Sequence, residues 1–168
     1  MQKAITIKNK NTCCELPGVF CLQEIKFCNY RGQEIYLLKD YVVFDLETTG
    51  LSPEKDTMIE IGALKVIQGK VADRFSEFIN PHQKLTEQIS ELTGITDEML
   101  AGARDLQAVV SDFVDFCEDY VVVGHNLGFD YRFTKMAAEK FRLPFEHEGI
   151  DTLKIAKTVH KDLPSRSL

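Results

Sequence analysis

The chain lacks any surplus of basic residues. Its 20 Lys and Arg stand against 26 Asp and Glu, a formal net charge of −6. A broad, sequence-independent grip on nucleic acid through a basic surface is therefore not what this composition offers. An enzyme whose acidic site is neutralised by bound metal stays compatible with it. No apolar run approaches the roughly 20 residues of a membrane-spanning helix. The first ten residues are polar and lack a signal-peptide core. A cytoplasmic location with reduced thiols and no membrane partner is expected. The cysteines number five, an odd count that argues against a disulfide framework. Four of them, Cys13, Cys14, Cys21 and Cys28, crowd the N-terminal part without a C-x-x-C knuckle. They read as small core hydrophobes rather than zinc ligands.

What is present fits one domain of sizeable core with a small appendage, in 168 residues of ordinary apolar and charged content. The stretch Tyr41 to Leu51, Y-V-V-F-D-L-E-T-T-G-L, holds the chemistry. Its first half is apolar and rich in β-branched residues, as in a buried strand. Side chains alternate along a strand, so Asp45 and Glu47 face one way while Val42, Phe44 and Leu46 face the other. Two carboxylates side by side at a buried strand end repel each other and lose hydration, which raises at least one pKa. A hard divalent cation with oxygen ligands is the usual relief. The alternative is a strand end reaching water, with both acids hydrated. The T-T-G-L that follows favours the site, because small residues and a glycine let a substrate backbone approach closely.

Residues 1–40 read as an unassigned extension, with strands over Phe20–Phe27 and Glu34–Leu38 joined through Asn29–Gly32. Residues 41–168 read as the main domain. After the polar turn Ser52–Asp56, strands are expected over Met58–Ile67 and Val71–Ile79, joined by Gln68-Gly69-Lys70. Glu60, within I-E-I-G-A, could be another acidic site residue; the favoured reading is structural, bonding to neighbouring backbone, because nothing nearby gives it ligand spacing. A helical turn over Gln88–Gly94 and a helix capped by Thr96 follow. The helix over Asp105–Tyr120 buries Leu106, Val109, Val110, Phe113 and Cys117. Val121–Gly124 is a short buried strand, expected parallel to and beside Tyr41–Leu46. The next helix turns Phe129, Phe133, Met136, Ala137 and Phe141 inward, and a last one Leu153, Ala156 and Val159. Leu163–Leu168 resembles the first turn of another element, so the domain is expected to be C-terminally incomplete. Asp130 would lie near the C-terminal ends of the two parallel strands, where ligands gather in open α/β sheets. It can join Asp45 and Glu47 in one acidic cluster.

Three segments together resemble the DEDD (DnaQ-like) superfamily of 3′–5′ exonucleases. F-D-L-E-T-T-G at Phe44–Gly50 is similar to its first motif, and V-G-H-N-L-G-F-D at Val123–Asp130 to its second. I-E-I-G-A at Ile59–Ala63, N-P at Asn80–Pro81 and L-T-G-I-T-D-E-M-L at Leu92–Leu100 fit the connecting pattern. The wording is nearest that of the proofreading exonucleases of bacterial DNA polymerase III. The resemblance covers about Tyr41 to Leu168 and implies a ribonuclease H-like α/β fold, a mixed five-stranded sheet with helices on both faces. It further implies hydrolysis with two Mg²⁺ or Mn²⁺ ions, which stabilise the attacking and leaving oxygens. Asp45 would bridge the ions, Glu47 would hold the one carrying the nucleophile, and Asp130 would serve the second. Thr48 would lie near the terminal sugar and Asn126 would touch substrate. Leu51 would wedge between the last two bases, or else be an ordinary core leucine.

The family's third motif, a histidine followed five residues later by an aspartate on a later helix, is missing from these residues. His125 and Asp130 share that spacing but sit in the second motif, where Asp130 is already a ligand. His125 reads as shaping the turn with Asn126. His160 has Ser165 five residues on, and His82 and His147 read as surface residues in loops. The expectation is an exonuclease acting on DNA 3′ ends, with RNA left open and a DNA polymerase as partner. Without the third motif it would be weak or inactive. The competing expectation is a non-catalytic module of the same fold that binds nucleic acid or a polymerase.

Overall fold

The computed structural model describes residues 5–7, 25–28 and 34–159. Strands β1 (Ile5–Ile7), β2 (Ile25–Cys28) and β3 (Glu34–Leu38) make a three-stranded antiparallel sheet in that order. The expected hairpin is present as β2 and β3, with Ile25 opposite Leu38. The stretch before β2 and the turn Asn29–Gly32 lie outside the described residues, as do Cys13, Cys14 and Cys21. Strand β1 was not anticipated. It arises where two isoleucines and a threonine, all β-branched, interrupt a polar segment.

The second sheet holds β4 (Tyr41–Thr48), β5 (Met58–Ile67), β6 (Lys70–Asn80), β7 (Arg104–Asp105), β8 (Val121–Gly124) and β9 (Gly149–Asp151). Its order is β7-β6-β5-β4-β8-β9. Strands β4, β5 and β6 are antiparallel neighbours, and β8 and β9 add in parallel. Val121 faces Tyr41 across the β4–β8 pair, as its short apolar run predicts. The sheet has six strands rather than five because β7 pairs two residues with the end of β6. A two-residue pairing is too short to leave any period in the sequence. Gln68 and Gly69 both adopt positive φ, the geometry of a tight hairpin turn. The Asp40 carboxylate accepts from the Gln68 N–H at 2.7 Å and steadies that turn.

Among the described residues the helices are α1 (Glu87–Thr93), α2 (Asp97–Leu100), α3 (Leu106–Cys117), α4 (Gly128–Lys140) and α5 (Thr152–Val159). Thr86 and Thr96 cap α1 and α2 through their side chains, and Gly94 closes α1 at φ 74°. The main core sets Val42, Phe44, Leu46 and Ile61 against Val109, Val110, Phe113 and Cys117 of α3 and Phe133, Ala137 and Ala138 of α4. Burial pushes the Cys117 thiol up to about 12, so it packs as an inert hydrophobe. One residue of α4 faces differently than expected. Met136 is exposed, and Thr134 is fully buried in its stead. Burial of Thr134 is tolerable because its hydroxyl donates to the Asp130 carbonyl at 2.9 Å. Among the described residues no helix is long and apolar enough to cross a membrane.

Candidate active site

The alternation expected for β4 holds. Val42, Phe44 and Leu46 are buried, while Asp45 keeps solvent access and Glu47 is half-buried. Strand β8 follows β4 only as far as Val43 opposite Val123. Beyond that point the chain leaves β8 through Gly124, where an added Cβ would lie 3.3 Å from the Phe44 carbonyl oxygen. It then turns at Asn126, φ 61°, into α4. Asp130 thereby reaches the end of β4 and accepts from the Leu46 N–H at 3.2 Å. A side-chain oxygen thus takes the hydrogen bond that a continuing β8 would have taken.

The acids affect one another. Burial, and then the Asp45 charge, push Asp130 up to about 7. Desolvation also raises Asp45, against the pull of nearby His125. Glu47 is raised by desolvation and then by Asp45 and Glu60. The three motif acids therefore gather as one coupled group. Among the described residues, however, no three Asp, Glu, His or Cys side chains converge closely enough to hold an ion as they stand. The donor set is nevertheless of the right kind. It is all oxygen, negatively charged and without an ion pair to Lys or Arg among the described residues, which suits a hard divalent ion.

The loop after β4 is built around short side-chain bonds. The Thr48 hydroxyl is buried and donates to the Gly50 carbonyl at 2.6 Å. The Thr49 N–H donates to the Thr57 carbonyl at 2.9 Å, and the Thr57 N–H returns to the Thr49 hydroxyl at 3.0 Å. A Cβ added at Gly50 would run into the Asp56 carboxylate, which accepts from the Ser52 N–H, so a side chain there would have to displace that contact. At the tip Leu51 is 82% exposed, which removes the reading of a core leucine. Asn126 is also exposed, with its backbone N–H held by the Asp151 carboxylate at 3.1 Å.

His125 anchors the turn, as expected, and the anchor is in α5. The Thr152 hydroxyl donates to the Gly124 carbonyl and accepts from His125 Nδ1, each at 3.1 Å. With the Thr152 hydroxyl donating to Gly124, Nδ1 is the donor in this contact. Nε2 is shielded from solvent and has no hydrogen-bond partner among the described residues. Asp151 binds the N–H of Asn126 and, at 2.9 Å, that of Leu153, tying the turn to the helix start. An Asp-Thr pair before an apolar helix is an N-cap signal, so this clamp was legible in principle. His147 is half-buried rather than at the surface. Its ring lies 4.7 Å from that of Phe145, and Nδ1 contacts the Tyr120 carbonyl at 3.0 Å. His82 is exposed and pairs with Asp105 at 2.8 Å. His160 lies outside the described residues.

Glu60 needs correction. It makes no hydrogen bond to backbone among the described residues. The strand register instead sets it directly opposite Glu47, and burial and the Asp45 charge raise its pKa. The pairing of β4 with β5 depends on the loop between them, and spacing within Met58–Ile67 could not disclose it.

A family profile described as exonuclease, RNase T type, matches residues 42–168. The chain belongs to that family, and its domain is an exonuclease domain of the DnaQ-like kind. It is homologous to PolC-type DNA polymerase III. The protein of that name from Thermotoga maritima is 43% identical over 122 residues, 72% of this chain and 9% of the relative. Its Staphylococcus aureus counterpart is 40% identical over 142 residues, 83% of this chain and 10% of the relative. The chain thus spans about a tenth of the length of these relatives. Among solved structures, exonuclease X in complex with 5′ overhanging duplex DNA superposes with a TM-score of 0.58 at 26% identity. That match covers 73% of this chain and 66% of the other. Exonuclease I without ligand gives 0.65 at 16% identity, over 73% of this chain and 31% of the other, which shows the shared fold.

Proposed function

We propose that the chain is a 3′–5′ exonuclease domain that removes nucleotides from DNA 3′ ends in replication proofreading or repair, working beside a polymerase in the cytoplasm. The observation that carries this reading is the Asp130–Leu46 hydrogen bond, which brings the acid of the second motif to the strand bearing Asp45 and Glu47. The family of the chain and the DNA bound to exonuclease X support it. Residues 42–168 hold the family match, which supports a division near residue 40 between an N-terminal extension and the exonuclease domain.

Asp45, Glu47 and Asp130 would hold Mg²⁺ or Mn²⁺. Bound there, the ions supply an activated water and stabilise the charge of the leaving oxygen. Asp45 and Glu47 fix the register of that charge on a rigid strand. The closed Thr48–Thr57 loop presents Leu51 to the terminal bases, and exposed Asn126 offers its amide to the substrate. The 168 residues hold no H-x-x-x-x-D besides His125–Asp130. Absence of a general base lowers such a step by about 10²–10⁴-fold, so the segment by itself is expected to cut slowly. The test is digestion of a 3′-labelled oligonucleotide with Mg²⁺ or Mn²⁺. Slow release of mononucleotides that vanishes in Asp45→Ala supports the proposal. Fast release overturns the expected weakness. Oligonucleotide binding without any cleavage overturns the enzymatic reading in favour of a binding module.

A further inference from the structure

The start of α4 carries two opposite charges in opposite settings. Asp130 is buried at the end of β4, while Arg132, two residues on, is exposed. The Arg132 Nε–H donates to the Gly128 carbonyl at 3.1 Å. Its side chain therefore lies back along the helix, toward the end where Asp130 meets β4. Beside it, a Cβ placed on Gly128 would meet nothing within 4 Å, so that turn borders open space. The loop after β4 faces the same turn. The Ser52 hydroxyl donates to Glu54 at 2.7 Å and holds its carboxyl below the ordinary range, and the charge of Arg132 adds to that effect from α4. Arg132 nevertheless forms no ion pair with Glu54 or with any other acid among the described residues, whereas Lys65, Arg104, Lys135 and Lys154 each have an acidic partner. A phosphodiester strand that enters an acidic site of a chain with net charge −6 is repelled except where a cation meets it. Ions held by Asp45, Glu47 and Asp130 would answer only for the phosphate that is cut. The next phosphate along the strand needs another cation. A guanidinium suits it, because its planar fork of N–H donors matches two phosphate oxygens. With Nε engaged on Gly128, both Nη groups of Arg132 remain for that contact.

We propose that Arg132 binds the phosphodiester on the 5′ side of the scissile bond and so seats the strand beside the loop that carries Leu51. The inference rests on the substrate reading given under the proposed function. Its test needs no catalysis: a fluorescent single-stranded DNA oligonucleotide with a free 3′ end is titrated with the full 168-residue chain in Ca²⁺, at several salt concentrations, and followed by anisotropy. Arg132→Gln is expected to weaken binding by about tenfold, the scale of a lost hydrogen bond to a charged group. It should also lower the slope of log affinity against log salt by about 0.7, the share of one single-strand phosphate. Glu54→Gln is expected to bind at least as tightly as wild type, since it removes a rival carboxylate for Arg132. Circular dichroism confirms that both variants are folded. If Glu54→Gln weakens binding as far as Arg132→Gln does, the two residues only hold the loop and the proposal is overturned. An unchanged affinity or an unchanged salt slope in Arg132→Gln would also overturn it, while binding by the wild-type chain leaves the proposed function standing. If the wild-type chain binds no oligonucleotide, the substrate reading itself is wrong and Arg132 falls with it.

Discussion

Val42, Phe44 and Leu46 point from β4 into α3 and α4, while Asp45 and Glu47, set between them, point the other way. On the first face Phe44 stacks on Phe113 at 5.2 Å between ring centres, and nearly every atom is out of water. On the second, acids that raise one another's pKa are held together with no Lys or Arg paired to them among the described residues. One strand thus carries both a closely packed face and a concentration of like charge. The lesson is that the packed face is what allows the acidic face to persist, because burial on one side offsets repulsion on the other.

This contrast can be broken from either side. The largest effect is expected from Phe44→Ala, which empties the centre of the packed face and should cost about 3–5 kcal/mol of stability. Chemical denaturation measures it, and a loss below about 1 kcal/mol would mean that Phe44 does not anchor the core. A smaller and opposite effect is expected on the acidic side. Asp130 binds its proton more tightly folded, near 7, than at its ordinary value of 3.8. As pH rises through that window, the unfolded chain has already released its proton while the folded one must still do so. Stability of the metal-free protein should therefore fall between about pH 4 and 7, each unit of displacement being worth about 1.4 kcal/mol at most. Asp130→Asn keeps an oxygen for the Leu46 N–H and should flatten that fall. Melting temperatures across the range, taken with chelator present, decide it; parallel curves for the two proteins would rule it out. The smallest structural effect belongs to Leu51→Ser at the exposed loop tip. Stability should change by no more than about 0.5 kcal/mol, while KM for a 3′ end rises. An unchanged KM would remove Leu51 from substrate contact.

Much of this was legible in the sequence, for reasons tied to particular residues. Alternation along Tyr41–Thr48 disclosed both faces of β4, and the apolar run Val121–Val123 disclosed its parallel neighbour. The start of α2 followed from Thr96, whose side chain does cap. What stayed hidden depends on register between distant segments. Nothing in Ile59–Ala63 tells which residue of β4 Glu60 will face, because that is fixed by the loop and by the bulge after Glu47. The anchoring of His125 by Thr152 spans 27 positions and has no periodic trace. Met136 and Thr134 exchanged places because a threonine that bonds the preceding turn can occupy a core position that composition would assign to methionine.

The bond from the Leu46 N–H to Asp130 has a consequence for descent. It serves as a rung of the sheet made by a side chain. If Asp130 serves the proposed function, position 130 is under two separate demands, one for an oxygen that the strand needs and one for a charge that chemistry would need. A lineage that abandoned hydrolysis would be released from the second demand only. Asparagine would satisfy what is left, and alanine would not. Loss of activity in such a line would leave its mark at position 130 as a change of charge with the shape kept.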